Sequence, residues 1–366
     1  MKLGFSLYPE QGKLADLLAY IQQFPEDVVD RVFLSLLQID PTSQETRALY
    51  KQVIAACNQQ GFRVFADLSP QLIEDLGWQE DLLEQVRDFG LSGLRLDEAY
   101  EPELIQELLE NPYGLKIELN ASVGVALLEK LQSLGANLSN LTACHNFYPR
   151  RLTGLSTKRY HELSQVYREA GVELVAFISS QTATQGPWIY EESLPTLEEH
   201  RGRSLLSQAK WYLADGKMDY LLLSNQMIDP SELKPLLELL QGNQEIIHFQ
   251  METIADLLAV EKDILDYEHF YRPDVSDYLV RSTMTRIDYA HQENPYRPGS
   301  RLGKRGDIML NNDLAGRYKN ECSILLCPVE LDHTSNIVGH ITDEDLPLLD
   351  FLQPGQAFRL ERIQRE

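Results

Sequence analysis

An α/β fold, a TIM (β/α)₈ barrel followed by a smaller β-rich domain, is what this sequence predicts, on three observations. Short apolar or β-branched runs alternate with longer segments whose apolar residues recur at helical spacing. Eight such pairs fit within the first 242 residues, close to the roughly 250 residues of a closed eight-stranded barrel. Beyond that point the rhythm changes to strand-like runs separated by turns rich in Gly, Asn and Pro. The expected domains are residues 1–242 and 243–366, the second compact and barrel-like.

The eight strand candidates are residues 3–8, 31–36, 63–68, 93–97, 115–120, 140–146, 173–179 and 220–225. Between them lie amphipathic patterns such as Leu14, Leu17, Leu18 and Ile21, or Leu49, Val53, Ile54 and Cys57. Gly61, Gly90, Gly114, Gly135 and Gly171 stand where helices hand over to strands, the place of a C-terminal cap. The first turn, YPEQGK, lacks a GxGxxG fingerprint, which argues against a dinucleotide site. In the second domain the expected strands are 246–250, 278–281, 307–310, 323–329, 337–341 and 358–363, with helix over 257–265 and 345–352.

Of 366 residues, 43% are hydrophobic and 24% charged, enough to bury a large core. A formal charge of -23 argues against nucleic acid or an anionic membrane as partner, so any anionic ligand needs a local basic cluster. Pro9 and Glu10 interrupt what would be a secretory apolar region, and no stretch is long enough to span a membrane, so a cytoplasmic location is expected. Four cysteines are too sparse for a disulfide framework, and Cys322 and Cys327, separated by SILL, read as thiols rather than a metal pair.

A barrel of this kind places its chemistry at the C-terminal ends of the strands. Those ends carry Glu10 after strand one, Asp67 after strand three, Arg95 and Asp97 on strand four, and Glu118 and Asn120 on strand five. Alternation puts Arg95 with Asp97 on one face, and Glu118 with Asn120. If that face is inward, Asp97 and Asn120 are rim neighbours, while Arg95 and Glu118 lie a layer deeper, where a structural ion pair is as good a reading as chemistry. Ser69 before Pro70 is the better helix cap, which leaves Asp67 for the site.

Strand six runs into CHNFYPRRLTGLS, where an apolar run stops in polar groups. Only one of His145 and Asn146 can face the lumen. Asn146 suits a sugar hydroxyl or acetamido group, and His145 suits either a site or a histidine bonded within the core. Tyr148, Arg150, Arg151 and Thr153 follow, with Ser156 at a helix start. Guanidinium forks match phosphate or carboxylate oxygens, although an RR pair is also common on solvated loops. The long segment after strand seven carries Trp188 and Tyr190 for stacking on a sugar ring, and Glu191, Glu192 and Glu198 as further acids; residues 194–200 read equally as a surface helix. No metal-ligand spacing is recognisable, and no cofactor is expected.

The motifs FADLSP, GLRLDE, GLKIELNAS, CHNFYPRRLTGLS, GPW and LPTLEEHR, in this order, resemble those of the MupG-like bacterial 6-phospho-N-acetylmuramidases, and VRST, KRGDIMLNN, NIVGHI and LLDFLQPG resemble that family's smaller domain. GPW departs from the usual GPL-type spelling, and ESLPTLE lacks the glycine common before LPTLE. The resemblance implies a TIM barrel followed by a cyclophilin-like β domain, and hydrolysis of a β-1,4 disaccharide of N-acetylmuramic acid 6-phosphate and N-acetylglucosamine. In that reaction Asp67 and Asp97 form the first catalytic pair, with Glu118 and Glu10 in reserve. Arg150 and Arg151, with Arg281 from the second domain, would clamp the phosphate and lactyl carboxylate. The second domain would cover the mouth of its own or a neighbouring barrel, a homodimer in the latter case. Rival readings are a sugar-phosphate lyase or epimerase using a metal or a Schiff base on Lys116, and a phospho-sugar binding regulator without turnover.

Overall fold

Eight parallel strands close into a barrel in chain order in the computed structural model, which describes residues 1–9, 13–36, 39–40, 42–96, 100–187 and 193–363. They are β1 (Lys2–Leu7), β2 (Val29–Ser35), β3 (Arg63–Leu68), β4 (Gly93–Leu96), β5 (Lys116–Asn120), β6 (Leu141–Cys144), β7 (Glu173–Ile178) and β8 (Tyr220–Leu223). Helices follow them as α1 (Leu14–Ile21), α2 (Gln44–Gln59), α3 (Pro70–Leu76) with α4 (Leu82–Phe89), α5 (Pro102–Leu109), α6 (Ala126–Ser133), α7 (Thr157–Glu169), α8 (Leu205–Asp215) and α9 (Pro230–Gln241). The five handover glycines have φ between 70° and 93°, a left-handed turn that costs glycine nothing. As expected, Ser69 caps α3, accepting from Leu72 N at 3.2 Å.

Alternation along each strand sorts the residues into two environments. Leu34, Ala66, Leu94, Ile117, Leu141 and Leu221 are at most 2% exposed and face the helices, which makes the strands nearly continuous apolar runs. The inward set differs around the barrel. Phe33, Cys144, Val175, Phe177, Tyr220 and Leu222 form an apolar cluster, whereas Arg31, Arg95 and Glu118 bring charge to the centre. Gly93 has no side chain because the Phe65 ring fills its place; a Cβ there would lie 2.6 Å from that ring.

The chain divides into two compact units, residues 1–209 with 216–242, and residues 210–215 with 243–366. The second holds a seven-stranded sheet ordered β10, β17, β9, β16, β13, β14, β11, where β9 is Ile247–Thr253, β10 His269–Phe270, β11 Leu279–Ser282, β13 Asp307–Asn311, β14 Cys322–Leu325, β16 Ser335–Ile341 and β17 Ala357–Arg362. The sheet nearly closes, because Arg272 N donates to Arg281 O at 2.9 Å between its end strands. A separate two-stranded pair joins β12 (Leu302–Gly303) to β15 (Val329–Glu330).

Two details differ from the sequence expectation. The run 323–329 divides into β14 and β15 around Pro328, which has no N–H for a ladder. The helix expected over 345–352 is a 3₁₀ stretch, Leu346–Asp350, with Pro347 at its start. Among the described residues, no helix is long and apolar enough to cross a membrane.

Candidate active site

The barrel centre is ionic on the side of β2 to β5. Arg31, fully buried, donates through Nη2 to Glu118 Oε2 and through Nη1 to Glu173 Oε1 at 3.2 Å, and its guanidinium lies 3.7 Å from the Phe65 ring centroid. Arg95 Nη1 stands 3.7 Å from Glu118 Oε1, and its Nη2 donates to Asn146 Oδ1. Burial pushes the Glu173 carboxyl up, against the pull of Arg31 and Arg63. Glu118, wholly without solvent exposure, is thus enclosed by two guanidinium groups beneath the mouth.

Above this layer the strand ends gather polar groups. Asp67, 6% exposed, accepts from Leu36 N at 2.7 Å and from Ser35 Oγ at 3.1 Å. It pairs in register with Arg95, and Arg95 with Glu118, so the ion-paired layer sits directly beside its strand. Asn120 is half-buried and uses Oδ1 to accept from Ser122 N at 3.0 Å. Asn146 turns inward onto Arg95. Tyr8 closes the other side, its hydroxyl donating to Ser224 O at 2.7 Å and its N–H to Gln226 Oε1 at 2.8 Å. Asp97, Glu10, Trp188, Tyr190, Glu191 and Glu192 lie outside the described residues.

His145 points the other way. Its Nε2 pairs with Ser164 Oγ at 3.0 Å on α7, its Nδ1 with Ser122 Oγ at 3.3 Å, and its ring packs against Tyr160. This is the core alternative that the sequence left open. Burial, with Arg95 adding to it, lowers its pKa to about 3; His200 is lowered to about 3 and His269 to about 4, chiefly by burial. These histidines are neutral in the fold, while the unfolded chain binds their protons near pH 6.5. Their stabilising effect is therefore complete above about pH 6.5 and is lost as pH falls toward the folded values, by up to ~1.4 kcal/mol per pH unit for each group. His145→Gln is expected to flatten the fall of the urea midpoint between pH 6.5 and 4, and an unchanged slope would contradict this.

The arginine loop is exposed at its tip but fastened at its base. Arg150, Arg151, Leu152 and Thr153 are exposed, and Leu152 is held at φ 64°, an unusual backbone conformation for a leucine. Tyr148 is half-buried, with its N–H donating to Pro195 O at 3.0 Å; Thr153 Oγ1 donates to Arg150 O at 2.5 Å. The fastener is Glu198. Its Oε1 accepts from Leu152 N and Arg201 Nε, and its Oε2 from Gly154 N and Arg201 Nη2, each at 2.8 Å. Arg201, with the loop N–H groups, holds this carboxyl down at about 2. Glu198 is therefore held rather than free in solvent and is no proton donor; of the helix expected over 194–200, residues 194–197 run as a strap and Glu198–His200 form a 3₁₀ turn. In that strap Leu194, Thr196 and Leu197 are fully buried, and Leu155 N donates to Thr196 O at 3.0 Å.

Sequence reasoning also missed Arg31, read there only as a strand's first residue, and Ser35, which shares Asp67's bonds. Glu232 on α9 was missed as well; it accepts from Ser180 Oγ at 2.5 Å and Thr182 Oγ1 at 2.9 Å, holding the loop after β7. Lys116 donates to Ser139 O at 2.7 Å, before β6 begins, which is the end of the barrel opposite the mouth. In the second unit, Arg281 donates Nε to Glu321 at 2.8 Å, and Arg286 pairs with the same carboxylate at 3.2 Å. Among the described residues, no cluster of three His, Cys, Asp or Glu is placed to hold a metal ion.

Residues 3–238 match the family model described as 6-phospho-N-acetylmuramidase, N-terminal, and residues 247–361 match its C-terminal counterpart. A crystal structure of an uncharacterized B. cereus protein is similar at 34% identity and TM-score 0.87, covering 98% of this chain and 99% of that one. A conserved protein of unknown function from Enterococcus faecalis is similar in fold at 23% identity and TM-score 0.76, covering 99% and 96%. No curated protein matches.

Proposed function

Because the chain belongs to the 6-phospho-N-acetylmuramidase family, we propose that it hydrolyses the β-1,4 bond between N-acetylmuramic acid 6-phosphate and N-acetylglucosamine, in cytoplasmic recycling of cell-wall material. The observation that carries this reading is that the C-terminal ends of the same barrel's strands bear a nearly buried carboxylate, Asp67 on β3, and an exposed arginine pair on the loop after β6.

Cleaving a glycosidic bond takes a carboxylic acid to protonate the leaving oxygen and a second group to attack or to activate water. Asp67 fills one of these roles and Asp97, two residues after Arg95 in the sequence, the other. The 2-acetamido oxygen of the substrate supplies an alternative internal nucleophile, in which case the aspartates orient the amide and protonate the leaving group. Asn120 and Asn146, both half-buried at the strand ends, suit hydrogen bonds to the acetamido and hydroxyl groups. Arg150 and Arg151 suit the phosphate and the lactyl carboxylate. A phosphorylated substrate also fits the charge balance, since in a chain of net charge -23 an anion needs a local basic group to hold it.

Purified protein incubated with the 6-phosphorylated and unphosphorylated disaccharides is expected to cleave the first with a kcat/KM about 10- to 100-fold higher, the value of one or two charge-assisted hydrogen bonds. Separation of the products by chromatography reads the result. Cleavage of neither rejects the hydrolase reading, and equal cleavage of both rejects the arginine clamp.

A further inference from the structure

We propose that Glu198 and Arg201 are positioning residues that set the preference for a 6-phosphorylated substrate, by fixing the backbone that carries Arg150 and Arg151. This rests on the assignment of those two arginines to the phosphate.

The geometry is that of a clasp. Glu198 takes the N–H groups of Leu152 and Gly154, so one carboxylate grips the chain on both sides of Thr153. Arg201 reaches the carbonyls on the other side of the loop, donating Nη2 to Tyr148 O at 2.9 Å and to Arg150 O at 3.2 Å. Its Nη1 donates to Ser193 O at 2.8 Å, which ties the same guanidinium to the start of the strap. The two side chains bond each other through both arms. Between them they hold four backbone groups of residues 148–154, the N–H groups of Leu152 and Gly154 and the carbonyls of Tyr148 and Arg150.

The strap gives the clasp a rigid footing. Thr196 Oγ1 donates to Asn146 O at 2.9 Å and accepts from Phe177 N at 2.9 Å, joining the end of β6 to β7. Glu198 N donates to Leu155 O at 3.0 Å, so the loop is held at its exit as well. Gly154 is part of the same fit, because a Cβ there would lie 2.7 Å from Glu198 Oε2 and 2.8 Å from Glu198 N. An arginine side chain is long, and holding its head against an anion loses rotamer freedom. A mobile loop would add a backbone ordering cost to that loss; fixing the backbone beneath two neighbouring arginines removes this added cost before the ligand arrives, which raises affinity for the group they contact.

The test compares wild type with Glu198→Gln on both disaccharides. Gln turns an acceptor into a donor facing Gly154 N or Leu152 N and releases the loop. The expected result is a rise of about 10-fold in KM for the phosphorylated disaccharide with little change in its kcat. The kcat/KM for the unphosphorylated disaccharide stays unchanged, which a general loss of structure would not produce. Trypsin cleavage after Arg150 or Arg151 is expected to speed up in the variant and to remain slow in wild type. A folded Glu198→Gln protein with the wild-type ratio between substrates overturns the proposal. If that variant does not fold, Gly154→Ala decides in the same way, since it displaces Glu198 without touching its charge. Should wild type itself show no preference for the phosphorylated disaccharide, the arginine clamp fails; the trypsin comparison then still decides whether the pair fixes the loop.

Discussion

Asp67→Asn is expected to lower kcat on the phosphorylated disaccharide by about 10²–10⁴-fold, the range that a positioned acid or base contributes. The bonds of Asp67 to Leu36 and Ser35 tolerate the change. Asn keeps an oxygen for Leu36 N, which approaches Oδ1 at 2.7 Å. The Ser35 hydroxyl, now a donor to Oδ2 at 3.1 Å, can accept from an amide instead. The altered bond to Ser35 costs about 1 kcal/mol of stability. Steady-state kinetics with a urea midpoint measured in parallel separates the two effects. A variant that folds and turns over at near the normal rate takes Asp67 out of the chemistry.

The second large effect is on folding. Glu118→Ala is expected to destabilise the barrel by about 3–5 kcal/mol, because it takes from the buried Arg31 its fully enclosed carboxylate and leaves it the partly exposed Glu173 at 3.2 Å. Arg31 and Glu118 have no exposure, and Arg95 loses a neighbour at 3.7 Å as well. Replacing Arg31 and Glu118 together by apolar residues of similar volume should recover much of the loss, since the pair's desolvation is removed with it. Urea unfolding of the single and double variants reads this directly. A single variant within about 1 kcal/mol of wild type would mean that solvent or another group meets the guanidinium, and would return Glu118 to the list of acids available for chemistry.

The two predictions also mark what the sequence could and could not reveal. Barrel strands buried on both faces read as apolar runs, and the glycines between helix and strand punctuate them, so the eight-fold pattern is legible without a structure. Asp67 was legible too, because Ser69 and Pro70 account for the helix start and leave the aspartate without a local role. Parity told that only one of His145 and Asn146 turns inward, but not which; that depends on α7 offering Ser164 and Tyr160 to the outward ring. The Glu198 clasp was illegible because its partners Leu152 and Gly154 offer only backbone N–H groups, which every residue but proline has. Arg31 was illegible for a different reason: a charged residue at a strand's edge looks like a boundary until its carboxylate partner, 87 positions away, is placed beside it. In the second unit, strands of two residues such as β10, β12 and β15 are too short to show a period.

The ionic centre also bears on how this protein responds to heat. Hydration of charged groups becomes less favourable as temperature rises, so keeping Arg31 and Glu118 away from water costs less in a warm solution than in a cold one. Apolar burial shows no matching gain there. The middle of the barrel therefore strengthens in relative terms as the solution warms, while the exposed segments at its mouth gain nothing comparable.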